Sequence, residues 1–261
     1  MRFQKLKCVY EKLSTGLIFP EALVERLGIK AMPSKLSDNI YGAKKRNPLS
    51  IIYLNNAFFW FKALKKVRFN GKTVTEIGPG SSLVIDLALN YMGFNGRLYK
   101  IDRARLKTPQ LKRGFTSRFI RLNPIASAEK LPQSDAFVFN HSIDDLYISL
   151  CLPKSMDYFR FSHGYKAENK IWDYAAATEK QFAPQIVSFL ISLRQKLKRG
   201  GFIIIRRHPS CYEVMHGMEK RIAFHQKLCR NIAKGLKESG FRAVRLKPAG
   251  MPGMFLVFRK I

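Results

Sequence analysis

Two short segments of the chain carry residue types that suit the binding of a nucleoside. Glu76-Ile77-Gly78-Pro79-Gly80 joins an apolar strand pattern that includes Val74 to a helical pattern. Glycines in such a turn let the backbone approach a ligand where any Cβ would collide. Further along the chain, Tyr99-Lys100-Ile101-Asp102 ends in a carboxylate that can accept hydrogen bonds from both hydroxyls of a ribose. Together the two segments predict a nucleoside pocket.

The details of the glycine turn argue against a phosphate ligand. A dinucleotide fingerprint needs a third glycine at position 83, where this chain has Leu83. A P-loop needs a Gly-Lys-Ser/Thr ending, and no such run follows Gly80. Glu76 would repel a pyrophosphate but would balance an ammonium or sulfonium group. We therefore expect a positively charged ligand.

The turn resembles the first motif of the class I S-adenosylmethionine-dependent methyltransferases, which is an acidic residue, any residue, glycine, any residue and glycine. Glu76 to Gly80 match it, with Ser82 where a third glycine is often found. Asp102 matches the acidic residue of the family's second motif. The resemblance implies that S-adenosylmethionine is the cofactor.

The resemblance continues in order over residues 70–261. It implies an α/β fold with a Rossmann-like, doubly wound, mostly parallel seven-stranded sheet that ends in an antiparallel hairpin. The segments that match the adenine region and the later strands are 127–132, 135–140, Lys198-Arg199-Gly200-Gly201 with the strand 202–205, Ser239-Gly240-Phe241 and 254–258.

The same resemblance assigns roles around the cofactor. Glu76 and Gly78-Pro79-Gly80 would surround the methionine portion, Asp102 the ribose, and Ala128-Glu129 the adenine edge. This chain has Ser127 where the family usually has the aspartate that holds the adenine amino group. A serine accepts that hydrogen bond less strongly.

The candidate catalytic residues follow a buried strand. Ala136-Phe137-Val138-Phe139 is a continuous apolar run typical of a parallel strand, and Asn140 and His141 come directly after it. Ligands bind at the carboxyl ends of such strands, so Asn140 and His141 are expected beside the cofactor and the methyl acceptor. His141 is either a general base or a structural or substrate-orienting residue. The next residues, Asp144 and Asp145, fit solvated acids at a helix start better than metal ligands, and no metal is expected.

The net charge of +29 points to a polyanionic partner. Residues 1–70 carry 14 basic and 4 acidic side chains, residues 71–150 carry 11 and 7, and residues 151–261 carry 22 and 7. The basic flanks predict RNA as substrate and partner, although a lysine-rich surface can also serve solubility alone. The basic clusters are Lys44-Lys45-Arg46, Lys65-Lys66, Lys196 with Lys198-Arg199, and Arg206-Arg207-His208.

Patterning divides the chain into two parts. We expect a basic helical N-terminal extension over residues 1–66 and a methyltransferase domain over 67–261, with an insertion at 146–176. Apolar residues recur at helical spacing over residues 50–66, which predicts a helix packed on the core, with a substrate lid or membrane-surface helix as the alternative. No apolar run is long enough to cross a bilayer, and the four cysteines show no metal or disulfide spacing. A cytoplasmic location is the simplest expectation, and an organelle-targeting N-terminus stays open.

The sequence thus predicts an S-adenosylmethionine-dependent methyltransferase that acts on a nitrogen or oxygen acceptor, with ribosomal or transfer RNA as the favoured substrate. Two alternatives stay open. One is a methyltransferase of small molecules or lipids. The other is a non-catalytic RNA-binding protein on the same fold.

Overall fold

The computed structural model describes residues 51–80, 82–103, 114–152, 165–209, 213–214, 217–246 and 253–261. The first fifty residues of the predicted extension, with the cluster Lys44-Lys45-Arg46, lie outside these ranges. So does the middle of the predicted insertion, residues 153–164.

The described residues form one seven-stranded sheet in the order β3-β2-β1-β4-β5-β7-β6. Strands β1 to β5 pair in parallel, and β7 runs antiparallel to both β5 and β6. This confirms the predicted doubly wound sheet with an antiparallel C-terminal hairpin. The strands are β1 (Thr73–Ile77), β2 (Arg97–Asp102), β3 (Thr116–Arg121), β4 (Ser134–Phe139), β5 (Leu197–Arg206), β6 (Phe241–Ala243) and β7 (Phe255–Lys260).

Helices cover both faces of the sheet because its central strands are apolar on both sides. In β4, Phe137 and Phe139 face one hydrophobic cluster, and Ala136 and Val138 face the other. The first cluster is closed by α3, α4, α5 and α6, and the second by α1 and α2. The helices are α1 (Ile51–Lys66), α2 (Val84–Tyr91), α3 (Ile143–Cys151), α4 (Tyr165–Ala177), α5 (Glu179–Ser192) and α6 (Glu219–Glu238).

Helix α1 packs on the core, as its apolar spacing predicts. Leu54, Trp60 and Leu64 have no exposed surface and belong to the same cluster as Val74 of β1 and Leu87 of α2. The sheet and α2 therefore already cover the apolar face that a membrane-surface helix would need.

Two boundaries differ from the sequence prediction. Lys198-Arg199-Gly200-Gly201, expected as a turn before β5, lies within the strand as an irregularity, because Ser134 pairs with Leu197 but Ala136 pairs with Phe202. A Cβ at Gly201 would lie 2.8 Å from the carbonyl oxygen of Asp135, so a glycine is needed there. The sequence predicts a helix over residues 226–239, but this helix, α6, begins earlier, at Glu219.

The earlier start of α6 has a physical cause. Its first turns bury Arg221 and His225 together with Ile222 and Phe224. Polar residues on the inward face obscure the helical period of apolar residues on which the sequence prediction relies.

Within the described ranges, no helix has the length and apolar character needed to span a lipid bilayer.

Replacing Leu64 by alanine tests whether α1 is part of the folded domain. Leu64 is fully buried, so Leu64→Ala should lower the free energy of unfolding by about 2–5 kcal/mol. The exposed neighbour provides the control, since Lys65→Ala should change it by less than about 0.5 kcal/mol. Chemical denaturation measures both, and equal effects would mean that α1 does not stabilise the sheet.

Candidate functional site

The turn after β1 needs both of its glycines, for different reasons. Gly78 and Gly80 adopt left-handed backbone angles, with φ of 65° and 54°. A Cβ on Gly78 would lie 2.7 Å from the Cβ of Ser142, so this glycine allows the turn to pack against the start of α3. Among the described residues, a Cβ on Gly80 would meet no heavy atom within 4 Å. The second glycine therefore borders open space at the carboxyl edge of the sheet.

Asp102 lies beside this open space. It is the last residue of β2, and its Oδ2 accepts a hydrogen bond from the backbone N–H of Gly80 at 3.1 Å. A second bond, from Gly78 N–H to the carbonyl of Ile101 at 2.8 Å, holds the turn against the same strand. The structure thus brings together the two segments on which the predicted nucleoside pocket depends.

Glu76 differs from its predicted role as a cofactor contact. Its side chain has no exposed surface, because Glu76 points from β1 into the layer beneath α2. There it lies opposite Lys100 of β2, with 4.0 Å between Oε2 and Nζ. Lys100 also forms a very short ion pair with Asp86 of α2 and donates to the carbonyl of Ser82. A cation of the protein itself, instead of a ligand, is therefore the partner of Glu76.

Lys100 supplies one positive charge for two buried acids, Glu76 and Asp86, so a second negative charge would be uncompensated. Burial raises the pKa of Glu76 to about 8; Lys100 opposes this shift, and Asp86 and Asp102 add to it. Glu76 is therefore largely protonated at neutral pH. Lys100 was missed in the sequence, although a lysine inside the buried strand Leu98 to Ile101 is an available signal.

Asn140 is held in place at the end of β4. Its Oδ1 accepts a hydrogen bond from the indole N–H of Trp60 in α1 at 2.9 Å, and its Nδ2 donates to Ser82 Oγ at 3.4 Å. The amide thus connects α1 to the glycine turn. Trp60 is a second residue that the sequence analysis did not place at this site.

His141 adopts a left-handed backbone angle, with φ of 58°. Its Nε2 is buried and has no hydrogen-bond partner in the part of the chain that the structure describes. Burial lowers the pKa of His141 well below its usual value, and the positive charges of Arg206 and Arg221 lower it further. The imidazole is therefore neutral at physiological pH.

The predicted adenine segment forms a short 3-10 turn, Ala128–Lys130, between β3 and β4. Ala128 is half-buried against the core, whereas the side chain of Glu129 is exposed. The carbonyl of Glu129 accepts a hydrogen bond from Lys196 at 2.5 Å. Lys196 immediately precedes β5, so this backbone contact points toward the amino edge of the sheet.

Asp144 is not the solvated acid that its position at a helix start predicts. It is 1% exposed and forms an ion pair with Arg221 of α6 at 2.7 Å. Burial acts to raise the pKa of Asp144, but Arg221 and His225 beside it hold the pKa below its ordinary value. Arg221 also reaches Glu213 at 3.1 Å and the half-exposed Asp145 at 3.3 Å. In the described part of the chain, no group of three or more His, Cys, Asp or Glu side chains could hold a metal ion.

The raised pKa of Glu76 predicts a measurable dependence of stability on pH. The folded protein keeps a proton that the unfolded chain releases above pH 4.5. The stabilisation from this proton is therefore complete below pH 4.5, and it decreases progressively as the pH rises to about 8. Over this range the free energy of unfolding falls by at most about 1.4 kcal/mol per pH unit. Glu76→Gln should remove this pH dependence, whereas Glu238→Gln on the surface should leave it unchanged. Parallel denaturation profiles for Glu76→Gln and the wild type would contradict the assignment.

Comparisons with known proteins place this geometry in context. No family model matches the chain, and no curated protein matches it by sequence. An O-methyltransferase family protein from Burkholderia thailandensis aligns with a TM-score of 0.46 and 10% identity, over 80% of this chain and 56% of that one. A methyltransferase from Pyrococcus furiosus has a TM-score of 0.43 and 14% identity over 98% of both chains. Human N-acetylserotonin methyltransferase, solved in complex with S-adenosylmethionine, has a TM-score of 0.44 and 11% identity over 99% of this chain and 66% of that one.

These similarities carry no conclusion about activity, because the identities and TM-scores are low and the chain spans little more than half of the Burkholderia protein. The fold is established by the strand order, the parallel register and the terminal antiparallel pair. These are the features of the Rossmann-like fold of class I methyltransferases.

Proposed function

We propose that this protein is an S-adenosylmethionine-dependent methyltransferase that acts on a nitrogen or oxygen acceptor. The observation that carries the proposal is the open space next to Gly80, with the Asp102 carboxylate bonded to the same turn. A glycine turn and an acid at the end of the neighbouring parallel strand form a nucleoside site at the carboxyl edge.

The residues present fit the cofactor. Gly78-Pro79-Gly80 would border its methionine portion. A carboxylate has about four acceptor sites, so Asp102 can bind Gly80 N–H and ribose hydroxyls together. When bound, S-adenosylmethionine supplies a methyl group activated by a sulfonium. Glu76, buried and largely protonated, would stabilise the turn from beneath instead of pairing with that charge.

Asn140 and His141 would position the acceptor. The hydrogen bonds from Trp60 and to Ser82 fix Asn140, so little freedom is lost when a substrate binds beside it. A neutral His141 can accept a proton, but its lowered pKa makes it a weak base at neutral pH. An acceptor that is already nucleophilic, such as an amine, does not need His141 to remove a proton before it attacks.

Two glycines with the same backbone strain test the cofactor site. Gly80 and Gly93 both have positive φ and open space where a Cβ would project, but Gly93 lies after α2, near the amino edge. Alanine at either position should cost about 1–2 kcal/mol of stability. Gly80→Ala alone should crowd the cofactor, which costs about 1–3 kcal/mol and so weakens its binding about 5-fold to 150-fold.

Isothermal titration with S-adenosylmethionine measures this difference. Equal affinities for Gly80→Ala and Gly93→Ala would reject the turn as the cofactor site.

A small-molecule acceptor has better support than RNA from the positions of the basic clusters. Lys65 and Lys66 end α1 directly before β1, and Lys198 and Arg199 lie at the start of β5. These clusters therefore lie at the amino edge, a full strand length from the candidate site. Arg206, the first residue of another cluster, is buried. RNA is the second candidate, supported by the net charge of +29 and by exposed Arg103 and Arg121 at the carboxyl edge.

A labelled methyl donor separates the candidate functions. The protein is incubated with it and with RNA, protein, lipid and low-molecular-mass fractions of a cell extract, with Gly80→Ala as the control for each. We expect the label in the low-molecular-mass fraction. Label in RNA would favour the second candidate, and tight binding of the donor without transfer to any fraction would favour a non-catalytic protein.

A further inference from the structure

Arg206 is a buried cation that is hydrogen-bonded through one part of its guanidinium. It is the last residue of β5 and is 1% exposed. Its Nη2 donates to Oδ1 of Asn56 in α1 at 2.8 Å, whereas Nε and Nη1 have no hydrogen-bond partner among the described residues. Its side-chain partner in the described part of the chain is therefore a neutral amide, which does not balance its charge.

The other buried lysine and arginine of the described residues, Lys100 and Arg221, both have acidic partners. Lys100 pairs with Asp86 and lies near Glu76, and Arg221 pairs with Asp144 and Glu213. Burying a charge without a counter-ion costs several kcal/mol, so an uncompensated arginine is expensive to keep. A guanidinium with free N–H groups in a fixed fork matches the two oxygens of a carboxylate or phosphate.

Arg206 lies at the same edge as the candidate site. Phe139 pairs with Ile205 at the end of the β4–β5 ladder, so the next residues, Asn140 and Arg206, lie side by side at the carboxyl edge, where Arg206 also pairs with Phe255 of β7. Both are bonded to α1, Asn140 through Trp60 and Arg206 through Asn56, which lie one helical turn apart. His141 follows Asn140 in the chain, and its buried Nε2 also has no hydrogen-bond partner within the described ranges.

We propose that Arg206 binds an anionic group of the methyl acceptor, which is therefore a small carboxylic acid or phosphate ester. This inference rests on the proposed function and specifies its substrate class. The bound anion would supply the counter-charge that Arg206 lacks and would anchor the acceptor next to Asn140. Because the guanidinium is buried, it selects a compact acid over the backbone of a polynucleotide.

The first test measures anion binding without any reaction. Thermal stability and calorimetry follow the titration of the protein with inorganic phosphate and, separately, with benzoate, against sodium chloride at equal ionic strength. One or both anions should stabilise the wild type saturably, and the better one identifies the group. Arg206→Gln keeps a donor for Asn56 but loses the charge, and should weaken binding about 10-fold to 100-fold. Arg207→Gln, at the half-exposed neighbour, should bind like the wild type.

Asn56→Asp gives a second test that keeps the arginine. The new carboxylate would lie at the position of the Asn56 oxygen that accepts from Arg206, and would act as a built-in counter-ion. Asn56→Asp should weaken anion binding as much as Arg206→Gln does. If Arg206→Gln does not fold, Asn56→Asp alone tests the anion site. Unchanged anion affinity in Asn56→Asp, or no stabilisation of the wild type beyond that of sodium chloride, would overturn the proposal.

Titration with S-adenosylmethionine separates this proposal from the function on which it rests. Anion binding without cofactor binding would leave the anion site but reject the methyltransferase. Cofactor binding without anion binding would support the methyltransferase but reject the anion site. Loss of cofactor affinity in Arg206→Gln would assign the arginine to the carboxylate of the cofactor itself, and would overturn an acceptor site.

Discussion

The parallel pairing of β1 with β2 and β4 is the constraint on which the candidate site depends. Because the three strands run in the same direction, their carboxyl ends meet at one edge. The glycine turn after Ile77, the carboxylate of Asp102 and the amide of Asn140 are brought together there, although they are distant in the chain. Such a sheet must be covered on both faces, and the two hydrophobic clusters provide that cover.

Helix α1 links the stability of the fold to the geometry of the edge. Leu54 and Leu64 anchor it in the core, while Asn56 and Trp60 bind the residues that follow β4 and end β5. The helix that begins before the first strand is thus part of the candidate site. A change in its packing would move Asn140 and Arg206 together.

Buried charges mark the difference between structural and candidate functional positions. Lys100 pairs with Asp86 beside the protonated Glu76, and Arg221 is surrounded by Asp144, Asp145 and Glu213. Each of these groups stabilises the fold through compensation inside the protein. Arg206 differs because its described partner is neutral, and it lies at the edge where a ligand would approach. The distinction rests on the partners, since Lys100, Arg206 and Arg221 are similarly buried.

The sequence alone determined the features that depend on near neighbours in the chain. The turn at Gly78 and Gly80, the acid at Asp102, the apolar strands and the helix at 50–66 follow from backbone freedom and from periodic burial of apolar residues. Tertiary structure decided which charges are buried and what balances them. Glu76 changed from a ligand contact to a protonated partner of Lys100, Asp144 from a solvated acid to an ion pair, and Arg206 from a surface cation to a buried one. The physical reason is that the energy of a buried charge depends on partners from distant segments, which only the register of the strands and the packing of the helices bring within reach.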